Sequence, residues 1–260
     1  MKKLVLLGII SSLVLAMTGR EVMDKQKELQ SSTTETDTEQ MILINSDNSK
    51  EKRVVKKWIK KDKAQDLSKS LIVFYQPADV RGTALLNKQR TKTEEDQWIY
   101  IPALHKLQRI AEGSKKNYFM GTDFTYEDLS ADKLDNYHYK ILKEEKLKNG
   151  DECYVIEAKP TKEYYPKTSY GKKVLWINKD KFYTEKIEFY GKDMNLIKVQ
   201  NAYKFKNVKG TMYRPTFVAM NNLAEHHKTL VKVNNIKVDE PMSDKYFSTR
   251  YLLTEKHMNE

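Results

Sequence analysis

The 260-residue sequence holds a single cysteine, Cys153, so no intramolecular disulfide can brace the fold. Stability has to come from burial of apolar surface. Cys153 lies in the strand-like run Glu152-Cys153-Tyr154-Val155-Ile156-Glu157 and reads as a small buried apolar residue. Glycine (nine residues) and proline (six) are scarce. Few backbone approaches to a phosphate are therefore available, and no Gly-x-Ser-x-Gly, phosphate-cradling loop or Cys-x-x-Cys occurs. The five histidines, His105, His138, His226, His227 and His257, lack the spacing of a zinc hydrolase. His226 and His227 are adjacent, and on a strand they point to opposite faces; His257 is expected in a frayed tail. No metal site, cofactor or catalytic residue is expected.

No apolar run is long enough for a comfortable transmembrane span, which needs about 20 residues. The longest extends from Leu4 to Met17, is interrupted by Gly8, Ser11 and Ser12, and follows Lys2 and Lys3. This is the shape of a secretory signal, with an uncleaved anchor as the alternative. Residues 1–19 are expected to be the signal peptide and 20–260 a single domain. No cysteine follows the run, so lipid attachment at a new N-terminus is not supported. Export past the inner membrane points to the periplasm.

The chain is 39% hydrophobic and 32% charged, with a formal net charge of +11. That composition suits a globular body. The positive charge is compatible with peripheral contact with anionic headgroups, but a lysine-rich solvated surface explains it equally, and no nucleic-acid partner is expected.

The pattern predicts a short amphipathic helix over 20–30, with Val22 and Leu29 on one face and Met23 beside them. Residues 31–38, all Ser, Thr, Glu or Asp, read as a flexible loop. From about residue 40 short strands follow one another: 41–44, 53–60, 67–75, 82–88, 97–104, 137–142, 153–158, 173–178, 184–190, 196–208, 212–220 and 229–238. Alternation is clearest where Ile197, Val199, Tyr203 and Phe205 oppose Lys198, Gln200, Lys204 and Lys206. Hairpin after hairpin predicts a mainly β, α+β fold with an antiparallel meander. Trp98 and Tyr100 oppose Ile99 and Ile101, and Val174 and Trp176 oppose Leu175 and Ile177, so these strands need cover on both faces. Helices over 20–30, 122–134 and 243–247 would supply it.

The densest apolar stretch is Phe119-Met120-Gly121-Thr122-Asp123-Phe124-Thr125-Tyr126-Glu127-Asp128-Leu129. Thr122 or Asp123 could cap a helix, and Glu127 and Asp128 would sit favourably in its first turn. The apolar residues either plug the core or line a cavity. Candidate lining residues are Trp98, Tyr100, Phe119, Met120, Phe124, Trp176 and Phe189; Gly121, Asp123 and Tyr126 are candidates for a lid or hinge, glycine being free to adopt positive φ.

Three ordered segments, Gln76 to Leu86, Asp96 to Leu104 and Phe119 to Leu129, resemble the LolA-like outer-membrane lipoprotein-sorting proteins, in a branch that often accompanies transporters of the resistance-nodulation-division type. The resemblance extends loosely over residues 20–254. It implies a curved antiparallel sheet forming an incomplete barrel with helices over its open side. It also implies a periplasmic, non-enzymatic carrier or accessory protein for lipids or the acyl chains of lipoproteins, with such a transporter as partner. An arginine that helps hold the lid in that family has no aligned counterpart; Arg81 and Arg109 are nominal candidates. The alternative is an envelope stress sensor that binds lipoproteins and regulates a membrane signalling partner. A hydrolase is a third reading, without a motif to carry it.

Overall fold

The computed structural model describes residues 17–62, 64–91 and 95–259. Of the expected leader only Met17, Thr18 and Gly19 fall among them. The strands are β1 (Thr34–Ile44), β2 (Lys50–Asp62), β3 (Leu67–Gln76), β4 (Ala84–Lys88), β5 (Asp96–Ile101), β6 (Lys106–Arg109), β7 (Tyr137–Lys146), β8 (Glu152–Pro160), β9 (Tyr170–Asn178), β10 (Thr184–Gly191), β11 (Leu196–Lys209), β12 (Met212–Asn222) and β13 (His227–Val238). They form one antiparallel sheet in the order β6-β5-β4-β3-β2-β1-β13-β12-β11-β10-β9-β8-β7. Strands consecutive in sequence are neighbours throughout, except that β1 pairs with β13 while β6 and β7 lie at opposite edges. The sheet curves without closing into a barrel. The connection from β6 to β7, residues 110–136, therefore has to travel from one edge to the other, and it does so across the inner face of the sheet.

The β1–β13 pairing divides the sheet into a first wing, β1–β6, and a second, β7–β13. Both faces of the first wing are covered, as its two-sided apolar strands require. On the inner face Met41, Leu43, Val55, Ile72, Phe74, Leu85 and Ile99 pack with Phe119 of the crossing segment. On the outer face Trp58, Leu71, Val73, Leu86 and Tyr100 pack under Phe247, Tyr251 and Leu252. These last three belong to the C-terminal segment, with a 3-10 turn over Asp244–Phe247 and the helix α2 (Thr249–Leu253). His257 is not in a frayed tail: it is fully buried, its Nε2 2.8 Å from the carbonyl of Gly82.

The inner face of the second wing is covered by the helix α1 (Gly19–Gln30), which buries Val22 and Met23 against Tyr137, Ile156, Leu175 and Ile177. Thr18 caps it, accepting from the Glu21 N–H while the Glu21 carboxylate accepts from the Thr18 N–H. At Gly19 a Cβ would stand 2.9 Å from the Tyr139 carbonyl, so this first residue of the helix needs the absence of a side chain.

Two expectations are corrected. The supposed loop over 31–38 is strand from Thr34 onward, because the threonines and carboxylates alternate in the register of β1. The supposed helix over 122–134 is a chain of turns with one bridge, Tyr118 to Thr125, ending in a 3-10 turn at Leu134–Asn136. Its capping groups are engaged elsewhere. Thr122 Oγ1 donates to the Phe119 carbonyl (2.8 Å), and the Asp123 carboxylate accepts from Thr229 Oγ1 of β13 (2.8 Å). Thr125 and Asp128 do bond reciprocally, but they close a single turn.

Leu252 is fully buried. Leu252→Ala is therefore expected to lower unfolding free energy by about 2–5 kcal/mol, read by urea denaturation. A change under about 0.5 kcal/mol, as at an unconstrained surface site, would show that the C-terminal segment is not part of the folded unit.

Candidate functional site

Inside the curve, between the crossing segment and strands β1, β2, β3, β11, β12 and β13, lies a cavity of about 250 Å³. Met41, Ile72, Phe119, Phe124, Leu129, Val218, Val231, Val233 and Ile236 form its apolar walls. Phe119, Phe124 and Leu129 come from the crossing segment and act as its roof. The roof is held at both sides by buried polar side chains. On the first wing Asn87 Nδ2 donates to the Leu129 carbonyl (2.9 Å), Gln89 Nε2 to that of Ala131 (2.8 Å) and Gln97 Nε2 to that of Tyr126 (2.8 Å). On the second wing Lys198 donates to Asp128, Tyr170 Oη donates to Asp128 (2.7 Å), Lys173 donates to Asp132 (2.8 Å), and Glu127 accepts from Thr168 and from the Ser169 N–H (2.9 Å). Burial pushes the Lys198 ammonium below the ordinary lysine range, the Asp128 charge opposing it.

The polar end of the cavity is built by β1. Its inward side chains run Glu35, Asp37, Glu39, Met41, Leu43, with three carboxylates followed by two apolar residues. Opposite Asp37 on β2 stands Lys57, whose Nζ lies 3.1 Å from Asp37 Oδ2 and 2.7 Å from Glu39 Oε1. Arg214 of β12 clasps Glu35 at 2.8–3.0 Å and also donates to the carbonyl of Gln30, the last residue of α1 (2.9 Å). Burial pushes the Asp37 carboxyl up to about 6, with the attraction of Lys57 outweighed. Burial acts the same way on Glu35, but there Arg214 wins and the carboxyl is held below its ordinary value. Glu35 and Arg214 also line a wider, more polar cleft of about 780 Å³ beside α1. Among the described residues no three His, Cys, Asp or Glu side chains are grouped as a metal site would require, and no helix is long and apolar enough to cross a membrane.

A family model described as an uncharacterized protein family matches residues 66–254. A solved domain from Vibrio parahaemolyticus, provisionally described as an outer-membrane lipoprotein-sorting protein domain, is 30% identical; the match covers 90% of this chain and 98% of that one, with a TM-score of 0.84. The chain belongs to the LolA-like outer-membrane lipoprotein-sorting family. A DUF1329 family protein from Desulfovibrio piger is 28% identical over 90% of this chain and 97% of its own, TM-score 0.85. A LolA superfamily protein from Nitrosomonas europaea, 22% identical over 91% and 100%, shares the fold with a TM-score of 0.71. No curated protein matches the sequence.

Of the lining candidates read from the sequence, Phe119 and Phe124 reach the cavity of this LolA-like fold. Met120 packs beside them against the inner core, and Phe189 stands behind Phe124 with Tyr170 and Met220. Trp98 and Tyr100 are on the outer face, in the cluster under the C-terminal segment. Trp176 packs with Cys153, Val155 and Val174, the face of β9 opposite to Leu175 and Ile177, and the Lys186 ammonium lies 4.1 Å from its ring centre. Cys153 is buried as expected, and burial pushes its thiol up to about 12. Gly121 (φ +74°) and Met120 (φ +50°) form the left-handed tip of the roof, where Arg53 Nη1 donates to the Met120 carbonyl (2.5 Å). Asp123 is tied to Thr229 and to His227 Nδ1 (2.8 Å), and Tyr126 stacks edge-on against Phe119. Arg81 and Arg109 are exposed, the latter paired with Asp96. The carboxylate row of β1, with Lys57 and Arg214, was not anticipated. Its signal was the period of two at positions 35, 37 and 39.

The Asp37 carboxyl titrates from 3.8 unfolded to about 6 folded. The folded chain thus binds that proton more tightly, so stability falls as pH rises from about 4 to about 6 and stays lower above. Asp37→Asn abolishes this titration. Thermal unfolding is expected to show a midpoint a few degrees above the parent at about pH 8 and nearly unchanged at about pH 4. A lower midpoint at the higher pH would refute the assignment.

Proposed function

We propose that this protein is a periplasmic carrier or accessory protein that shelters acyl chains of lipids or lipoproteins between the envelope membranes and works with a membrane transporter of the resistance-nodulation-division type. The observation that carries the proposal is the half-open, mainly apolar cavity under the crossing segment, in a fold shared with a lipoprotein-sorting domain. A carrier needs an apolar hollow and a cover, and it does no bond chemistry. Each methylene moved from water into such walls contributes about 0.8 kcal/mol. Residues 119–130, with Gly121 at the tip, serve as the cover. The lysine-rich surface provides peripheral contact with anionic headgroups.

Phe124→Asp places a charge in the wall and is expected to weaken binding of the neutral apolar dye N-phenylnaphthylamine by about ten-fold or more, read by fluorescence titration, with circular dichroism unchanged. Undiminished binding in the folded variant would remove the cavity from the mechanism. Hydrogen exchange across residues 119–130 is expected to slow when an alkyl ligand is bound; equal exchange with and without saturating ligand would remove the cover.

The leader is removed on export in this proposal, leaving residues 20–260 or slightly more as one domain. The cap at Thr18 and the fit of Gly19 against Tyr139 favour a mature start at or before Thr18, since cleavage after Thr18 would strip α1 of its capping box. N-terminal sequencing of envelope-extracted protein decides this. A start beyond Thr18, or an intact Met1 in the membrane fraction, contradicts it.

A further inference from the structure

We propose that the polar end of the cavity selects single-chain amphiphiles whose head is positively charged and donates hydrogen bonds, an alkylammonium or aminated acyl lipid, and turns away free fatty acids. The inference rests on the carrier reading of the same cavity and names its ligand class.

Three observations carry it. First, the carboxylates of Glu35, Asp37 and Glu39 cluster at one end of the hollow, whose other polar lining is Lys57, Arg214, Thr122, Asp128 and Gln200. The register shift opposite Asp37 leaves the extra residue on β13, at Asn235 and Ile236, while β1 keeps an unbroken register with β2, so its alternation holds Glu35, Asp37 and Glu39 on one face. Second, the two cations beside them are already engaged. Lys57 is shared between Asp37 and Glu39. Arg214 spends Nε and Nη2 on Glu35, and donates besides to the carbonyls of Gln30 and Tyr213. Third, Asp37 is only 2% exposed, yet its Oδ1 accepts no hydrogen bond from any described residue.

A buried acceptor without a donor is costly, and a charged one more so. The lining carries four carboxylates against two cations; Asp128 is answered by Lys198 from outside it, which leaves Glu35, Asp37 and Glu39 against Lys57 and Arg214, with an unused carboxylate oxygen among them. An ammonium at the end of an alkyl chain lying along Met41 and Val231 would donate to that oxygen and balance the charge. A fatty-acid carboxylate in the same place would meet like charge in a medium of low dielectric, where repulsion is strong. The upward push that burial gives the Asp37 carboxyl agrees with a group short of partners.

The test uses the mature full chain at about pH 8 and three dodecyl probes, each below its micelle threshold: dodecylammonium, dodecanol and dodecanoate, measured by displacement of N-phenylnaphthylamine. The expected order of affinity is dodecylammonium, dodecanol, dodecanoate, with about ten-fold or more between the first and the last. Asp37→Asn is expected to erase most of the ammonium advantage while dodecanol affinity stays within about two-fold. Glu39→Gln, which leaves Asp37 in place, should reduce the advantage less. Dodecanoate binding the parent as tightly as dodecylammonium overturns the inference and leaves the carrier reading standing. Displacement by none of the three overturns the carrier reading itself. An ammonium preference that survives both substitutions takes the selectivity away from this cluster. Should Asp37→Asn fail to fold, the order measured on the parent and the Glu39→Gln response still decide.

Discussion

The interior of this protein is organised around a stretch of irregular backbone whose middle, residues 119–130, is mostly withheld from water. Because β6 and β7 follow one another in the chain yet occupy opposite edges of the sheet, residues 110–136 must cross the inner face. Helices and strands satisfy their own N–H and C=O groups, whereas a buried irregular segment has to find partners in its surroundings. The side chains of Asn87, Gln89 and Gln97 supply them from one wing, and Thr229 supplies a hydroxyl to the Asp123 N–H from the other. Polar residues in the middle of otherwise apolar strands follow directly from this requirement.

The same crossing explains the buried charges. Asp123, Glu127 and Asp128 lie buried or half-buried along the segment, and the second wing answers with His227, Thr168, Lys198 and Tyr170, while buried Lys173 reaches the exposed Asp132. Buried pairs of this kind contribute little net stability, because desolvation offsets most of the attraction, but a broken one is expensive. Their effect here is to fix one register of the roof across the opening. Aromatic rings of β9 and β10 reinforce it: the Lys198 ammonium of β11 lies 5.0 Å from the Phe189 ring centre and 5.2 Å from that of Tyr170.

Strand alternation and hairpin spacing were legible in the sequence, and so was the need for cover on both faces of the strands holding Trp98 and Val174. What covers them was legible only in part. The helix at Val22 and Met23 is present, but Thr122 and Asp123 bond to tertiary partners that a local capping rule does not see. Faces were harder still. Trp98 and Tyr100 are as aromatic as Phe119, and nothing local says that they turn outward to meet Phe247 and Tyr251. The polar row of β1 was hidden by composition, since a run of Ser, Thr, Asp and Glu has the chemistry of a loop. Only its alternation, continued by Met41 and Leu43, marks it as half of a buried strand face.

That row bears on how tightly a carrier of this shape can hold its load. In the proposed role about ten methylenes in apolar walls would yield about 8 kcal/mol before the costs of association, which places a simple alkyl chain no tighter than the micromolar range. Weak, reversible holding suits a protein that must release what it carries, but apolar walls discriminate poorly between chains that differ only at the head. Discrimination then falls to the polar end, where Arg214 joins Glu35 of β1 to the last carbonyl of α1. Burial that destabilises the ionised Asp37 is the physical condition under which a single donor from a ligand counts for most, because the bond it forms faces no competition from water.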